Sequence, residues 1–142
     1  MSFRGIAAFL VGAGLAATAA IAAPVISDAW FRAMPGNTPA GGYFTLTNSG
    51  GALVRLTGAT STACGSVMLH MTHKMGSMVH MMAVDHIDLP AKGRIAFQPG
   101  GYHLMCMDPK GLTPGTSVPV TLHFADGSHI SATFAVKNAT GQ

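Results

Sequence analysis

The sequence contains no glutamate, and its five acidic residues are all aspartate. General acid–base catalysis uses paired or buried carboxylates, and this chain offers few of them. It also contains no Ser-His-Asp order, no P-loop and no dinucleotide-binding fingerprint. These absences argue against an enzyme.

Basic residues are also sparse. The eight lysines and arginines give a formal net charge of +3, and they are scattered along the chain without forming a patch. Proteins that bind nucleic acids cluster their basic residues and interleave them with aromatic ones. We therefore expect no nucleic acid among the partners of this protein.

Only one long apolar run is present, and it lies at the N-terminus. It follows a short basic segment and ends in Ala20-Ile21-Ala22, a small-x-small cleavage signal. An uncleaved membrane anchor is the alternative, but an Ala- and Gly-rich run of 18 residues is marginal for a span of roughly 20. The pattern predicts a signal peptide over 1–22 and one exported domain over 23–142 that is not attached to a membrane.

The rest of the chain alternates strand-like segments with turns. In VPVTLHF every second residue from Val118 to Phe124 is apolar, and HISATFAV repeats this pattern from Ile130 to Val136. Between them, ADGS has the Asp-Gly centre of a hairpin turn. Turn signals recur about every ten residues, which is typical of an antiparallel β-sandwich or barrel.

Methionine and histidine are concentrated in MLHMTHKMGSMVHMM, which spans 68–82 and holds six of the ten methionines and three of the seven histidines. Spacings of three and four residues between most of these methionines fit a helical stripe, which usually packs into a core. Gly76-Ser77 disfavours a helix, and the flanking segments are strand-like. The alternative is a strand–turn–strand with its turn near 74–77 and methionines on both faces.

A second cluster lies in PGGYHLMCMDPK. A strand across this segment places His103, Met105 and Met107 on one face and turns Cys106 toward the core. Cys106 is therefore a poor co-ligand of His103 and a candidate disulfide partner of Cys64 in an oxidising compartment. Two free buried thiols are the alternative.

Thioether and imidazole groups together favour copper. Thioethers select Cu(I), whereas zinc prefers Cys, His and carboxylate ligands and calcium prefers oxygen. A site of two methionines and two histidines is neutral, so bound Cu(I) would keep a net charge of +1. A single methionine is more often a core residue, and we interpret His86, His123 and His129 as ordinary surface residues.

The spacing of four residues is more specific than composition. His70, Met81 and His103-Leu104-Met105 form H-x10-M-x21-H-x-M, which resembles the signature of the periplasmic copper chaperone family PCu(A)C. SDAWFRAMPGNTPAGGYFTLTNSG resembles the opening strand, Trp-x-Arg element and second strand of that family, and VDHIDLPAKGRIAFQPGGYHLMCM resembles the segment across the second half of its site. The resemblance covers essentially all of 23–142.

The resemblance implies a cupredoxin-like (Greek-key) antiparallel β-sandwich that binds one Cu(I) through His70, Met81, His103 and Met105. It implies copper delivery in the periplasm to a protein such as cytochrome c oxidase subunit II, at its CuA centre, or another copper chaperone. It also places 68–82 in a hairpin. We expect a monomer.

The hairpin contains further soft residues, which leave four interpretations open: faster capture of copper, a second ion, a hand-over path, or an exposed loop without a metal role. Binding of Cu(II) beside Cu(I) is also open. The candidate auxiliary ligands are Met71, His73, His80, Met82 and Met107.

Three other functions are weighed against copper delivery. A copper storage or resistance protein would use the same ligands with a higher capacity. An electron-transfer cupredoxin needs a Cys thiolate beside two histidines, and no histidine follows Cys106 before His123. A metal-free adhesive or scaffold domain would gain no stability from Cu(I).

Overall fold

The structure is a computed structural model that describes residues 8–14 and 22–142. The signal peptide predicted over 1–22 falls mostly outside these residues. Across the described ranges, no helix has the length and hydropathy that crossing a membrane requires. The described chain is all-β, which confirms the predicted fold class.

Ten strands are formed, most of them from the segments in which apolar and polar residues alternate. Their bounds are β1 Val25–Arg32, β2 Ala40–Thr47, β3 Val54–Thr60, β4 Cys64–Met75, β5 Met78–Ala83, β6 Ile87–Leu89, β7 Arg94–Phe97, β8 Tyr102–Pro109, β9 Ser117–Phe124 and β10 His129–Lys137.

The strands pair in the order β5-β4-β8-β2-β1-β10-β9-β3-β6, and β7 pairs with β2 off this path. A further pairing of β3 with β4 joins the sheet to itself, so that its inner face encloses one core. The pairings are antiparallel except for β1 with β10, which run parallel. The antiparallel sandwich expected from the sequence is therefore confirmed with one parallel pair added.

The C-terminal hairpin follows its sequence pattern closely. Val118, Val120, Leu122 and Phe124 are all buried on one face of β9. In the turn that follows, the Asp126 carboxylate accepts hydrogen bonds from the backbone N–H and the hydroxyl of Ser128. These contacts fix the predicted Asp-Gly turn and hold β9 and β10 in register.

A disulfide joins Cys64, at the start of β4, to Cys106, in the middle of β8. Both cysteines are buried in the core, where Phe31, Phe44 and Leu104 are also buried. The bond closes a segment of 42 residues, and it fastens two neighbouring strands of the sheet. Of the two states left open by the sequence, the structure has the disulfide.

The methionine-rich segment is a β-hairpin formed by β4 and β5, so the helical stripe is not realised. β4 is 12 residues long, and β5 pairs only with its outer part at the edge of the sheet. The two-residue turn is Gly76-Ser77, in which Gly76 has a φ of 62°. Glycine adopts this left-handed backbone without strain, and a glycine in the first position is the mark of a type II′ hairpin turn.

Candidate metal centre

Two histidines face each other across neighbouring strands. His70 on β4 lies directly opposite His103 on β8, and their ring centroids are 5.6 Å apart with the planes at 72°. Residues that oppose each other in an antiparallel pair point to the same face of the sheet. The sheet register therefore brings together two imidazoles that are 33 positions apart in the sequence.

A backbone carbonyl determines which nitrogen of His103 is free. Nδ1 of His103 lies 3.2 Å from the carbonyl oxygen of Gly101. A carbonyl oxygen only accepts, so Nδ1 must carry the proton and donate it. Nε2 is then left with a lone pair, the state in which a histidine binds a metal.

Three imidazole nitrogens at this position are buried without a partner. Among the described residues, both ring nitrogens of His70 and Nε2 of His103 are shielded from solvent and make no hydrogen bond. Each unpaired buried group of this kind costs about 1–3 kcal/mol, so native structures rarely keep one without a reason. A bound ion would accept one lone pair from each ring, and the other nitrogen of His70 would keep its proton.

Electrostatics favour the neutral form of His70. Burial lowers the pKa of His70 below its ordinary value of 6.5, and repulsion from a charged His103 lowers it further. An imidazole must be unprotonated to bind a metal. The environment of His70 therefore favours the form that can act as a ligand.

The thioethers of Met81 and Met105 lie on the same face as the two histidines. Met105 is two residues beyond His103 on β8, and Met81 opposes Thr72, two residues beyond His70. Because side chains alternate along a strand, both methionines share the face of the imidazoles. Met81, Met105 and His103 line one open cleft of about 340 Å³.

Aromatic rings support the other wall of this cleft. The ring of Tyr43 lies 6.5 Å from that of His103 and 4.8 Å from that of Trp30. The guanidinium of Arg32 is 5.5 Å from the Trp30 ring and 5.6 Å from the Tyr43 ring, which are cation–π distances. Gly41 leaves room for this wall, because a Cβ there would lie 2.6 Å from the Tyr43 hydroxyl.

The donor set limits which metal fits. Within 8–14 and 22–142, no group of three or more His, Cys, Asp or Glu side chains could hold an ion. The soft side chains beside the His70–His103 pair are thioethers, which favour Cu(I) over zinc or calcium. Both cysteines are in the disulfide, so no thiolate is free for a blue-copper site.

The auxiliary candidates divide between the two faces of the hairpin. Met107 is on the same face as Met105 and lies two residues farther along β8 from His103. The other candidates lie on the opposite face of β4 and β5 and cannot join the same ion, because alternation turns their side chains away. These are Met71, His73, His80 and Met82.

Sequence reasoning missed Met68 as a neighbour of this site. Met68 lies directly opposite Met105 and is 41% exposed. Its position two residues before His70 places it on the face of that histidine in any β-strand. Once β4 is recognised as a strand, this period of two is the signal that identifies it.

Comparisons with known proteins identify relatives of this chain. Residues 25–136 match the model of the LpqE-like family. A protein of Leifsonia xyli subsp. xyli named "Putative lipoprotein Lxx21020" is 39% identical over 119 residues, which are 82% of this chain and 70% of that protein.

Two solved structures are also similar. The copper-bound PCuAC domain from PmoF2 has a TM-score of 0.69 and 29% identity, with 84% of this chain and 97% of that domain covered. The Cu(I) form of DR1885 from Deinococcus radiodurans has a TM-score of 0.64 and 31% identity, with 86% and 81% covered. The chain belongs to the LpqE-like family and is a PCu(A)C domain.

Proposed function

We propose that this protein is a periplasmic copper chaperone, which binds Cu(I) through His70, Met81, His103 and Met105 and delivers it to another protein. The observation that carries the proposal is the set of three buried imidazole nitrogens without partners, on a face that also bears two thioethers. Two similar solved structures contain copper, which supports the choice of metal.

The two halves of the site suit capture and release. His103 is 3% exposed and is held by a hydrogen bond to the backbone, so its position is fixed when the other ligands exchange. Met81 is 60% exposed on the edge strand β5, where a ligand from a partner can replace it. All four ligands are neutral, so no opposite charge holds the ion against transfer. Ligand exchange can therefore proceed one bond at a time.

The acceptor we propose is the CuA centre of cytochrome c oxidase subunit II, with another copper chaperone as the alternative. Copper storage is the competing function, and it predicts that loaded protein retains its Cu(I) in the presence of such an acceptor. Mixing the Cu(I)-loaded protein with the metal-free soluble CuA domain of subunit II, separating the two proteins and measuring the copper in each distinguishes these two functions. No copper in the CuA domain would contradict delivery to that acceptor.

The ligand assignment is tested with isosteric variants. Leucine has nearly the volume of methionine but no sulfur, so Met81→Leu together with Met105→Leu should fold normally. We expect its Cu(I) affinity, measured anaerobically against a coloured chelator, to fall by at least about tenfold, since even residues that only support metal ligands are worth 10–100-fold.

The matched control is Met75→Leu with Met78→Leu, two methionines on the other face of the same hairpin. This control should leave the affinity of the His70–His103 site unchanged. Equal affinity of the wild type and the Met81→Leu/Met105→Leu variant would show that the four-residue assignment is wrong.

The cellular location is a separate part of the proposal. The Leifsonia relative is named a lipoprotein, and lipoproteins are exported, which supports export of this chain. We expect the chain to be recovered in the periplasmic fraction with Ala23 as its first residue. Recovery of the uncleaved chain in the cytoplasmic fraction would contradict a periplasmic function.

A further inference from the structure

The face of the β4–β5 hairpin opposite to that of His70 and Met81 carries three pairs of soft side chains that the site above does not use. Across the two strands, Met71 opposes Met82, His73 opposes His80, and Met75 opposes Met78. Residues directly opposite each other in an antiparallel pair have Cβ atoms about 4.5–5.5 Å apart. The register therefore stacks an imidazole pair between two thioether pairs.

Core packing does not explain these side chains. Met75 is 62% exposed, Met78 is 60% exposed and Met82 is 50% exposed. Both histidines are exposed, and only Met71 is half-buried. Apolar thioethers at a solvent-facing edge gain little hydrophobic stabilisation, because water still reaches them. Their accumulation on one face calls for another reason.

The chemistry of this face selects a soft cation. Between Cys64 and Val84 the only charged residue is Lys74, and it opposes Val79 on the other face of the hairpin. No carboxylate is therefore available for calcium or magnesium, which need oxygen ligands. Neutral imidazoles and thioethers suit Cu(I). Methionine has three rotatable bonds, so the thioethers can reach toward an ion held by the histidine pair.

We propose that this face of the hairpin is a second Cu(I) site, with the imidazoles of His73 and His80 as its central ligands and thioethers from the adjacent pairs completing the coordination. It is separate from the first site because alternation directs His70 and Met81 to the opposite face. The second site is shallow and exposed, so its Cu(I) exchanges more readily than the first.

The chain contains a matched comparison for this site. His123 and His129 also oppose each other across two strands, with ring centroids 6.2 Å apart. On the same face, the next cross-strand pair is Thr121 with Ser131, and Thr60 lies 2.9 Å from the His123 ring. This histidine pair also spans two antiparallel strands, but no methionine flanks it on that face. It therefore separates the effect of two histidines alone from that of two histidines flanked by thioethers.

The experiment is an anaerobic Cu(I) titration of the purified protein, labelled with ¹³C at the methionine methyl groups. We expect the wild type to take up two equivalents and His73→Ala/His80→Ala to take up one. The control His123→Ala/His129→Ala should still take up two. The methyl signals of Met75 and Met78 should shift with the second equivalent in the wild type and stay unshifted in the His73→Ala/His80→Ala variant. Circular dichroism checks that each variant is folded.

The outcomes separate this inference from the proposed function. A wild type that saturates at one equivalent, with Met75 and Met78 unshifted, would overturn the second site and leave the first intact. Conversely, the Met81→Leu/Met105→Leu variant tests the first site alone. If that variant loses nothing while His73→Ala/His80→Ala loses all Cu(I), the proposed function fails and the hairpin site stands.

Discussion

His70 and His103 oppose each other on β4 and β8 with their ring planes at 72°, and no hydrogen bond from the described part of the chain reaches either ring nitrogen of His70. One small ion between them can accept a lone pair from each ring, whereas two protonated rings at this distance would repel. The relationship therefore favours copper binding and disfavours protonation at the same place.

The first prediction concerns the acidity of this pair. In the metal-free protein we expect the pKa of His70 to lie below 6.5, because burial disfavours the charged ring and a charged His103 would repel it. His103→Ala removes the second cause and should raise the pKa of His70 part of the way. An NMR titration of the ring protons measures both values, and a pKa of 6.5 or more in the wild type would contradict the prediction.

The same shift makes the stability of the metal-free protein depend on pH. The unfolded chain takes up a proton at its ordinary histidine pKa near 6.5, whereas folded His70 takes it up only at lower pH. The free energy of unfolding should therefore fall as the pH drops from about 6.5 toward the pKa of folded His70. Urea unfolding at several pH values measures this slope, and His70→Ala should reduce it.

The second prediction concerns the aromatic wall of the cleft. Gly41→Ala would place a Cβ 2.6 Å from the Tyr43 hydroxyl, so the ring must move. We expect a cost of about 1–3 kcal/mol in unfolding free energy and weaker Cu(I) binding. Trp30 is the only tryptophan and touches Tyr43, so its fluorescence reports the displacement directly.

Gly58→Ala is the control for that experiment. Gly58 also lies in a strand, β3, and a Cβ there would meet nothing within 4 Å. It should leave both the fluorescence and the Cu(I) affinity as in the wild type. Equal behaviour of the two variants would mean that Tyr43 does not depend on the space at Gly41.

The third prediction concerns the disulfide. Reduction of the Cys64–Cys106 bond opens a loop of 42 residues, for which the loss of chain constraint amounts to about 4 kcal/mol. We expect the melting temperature of the metal-free protein to fall by about 10–20 °C. Thermal denaturation with and without reductant measures the change. Unchanged melting would show that the bond contributes nothing to the unfolding equilibrium.

The fourth prediction concerns metal selectivity. Cu(I) at about 100 times its dissociation constant should add about 2.7 kcal/mol to the unfolding free energy. Calcium and magnesium should add nothing, because the cleft presents the His103 imidazole and thioethers and no carboxylate. Thermal shifts with each ion under anaerobic conditions provide the comparison. A flat response to Cu(I) would favour the metal-free scaffold over the chaperone.

Much of the fold follows from local patterns. The apolar alternation of β9 and the Asp-Gly turn after it predict the C-terminal hairpin, because burial and turn chemistry act over a few neighbouring residues. The methionine segment was ambiguous for the same reason. Its spacing fits a helix, and only Gly76 and the pairing with β8 decide for strands. Long-range pairing overrides local periodicity there.

The parts that the sequence could not predict depend on long-range register. Nothing in β1 or β10 indicates that they run parallel, since that pairing joins the two ends of the chain. The auxiliary methionines and histidines could not be divided between faces until the turn was fixed at Gly76-Ser77, because a shift of one residue reverses every side chain of β5. The unpaired nitrogens of His70 likewise become evident only when the pairing of β4 with β8 is known.

The carbonyl of Gly101 has a consequence that extends beyond a single hydrogen bond. It accepts from Nδ1 of His103 and also from the backbone N–H of Thr72 on β4. The main chain at Gly101, and no side chain of the hairpin, therefore determines that Nε2 of His103 is the nitrogen that can bind the metal. The hairpin can exchange one thioether or imidazole for another, and so change how copper arrives and leaves, while the nitrogen that receives the ion stays the same.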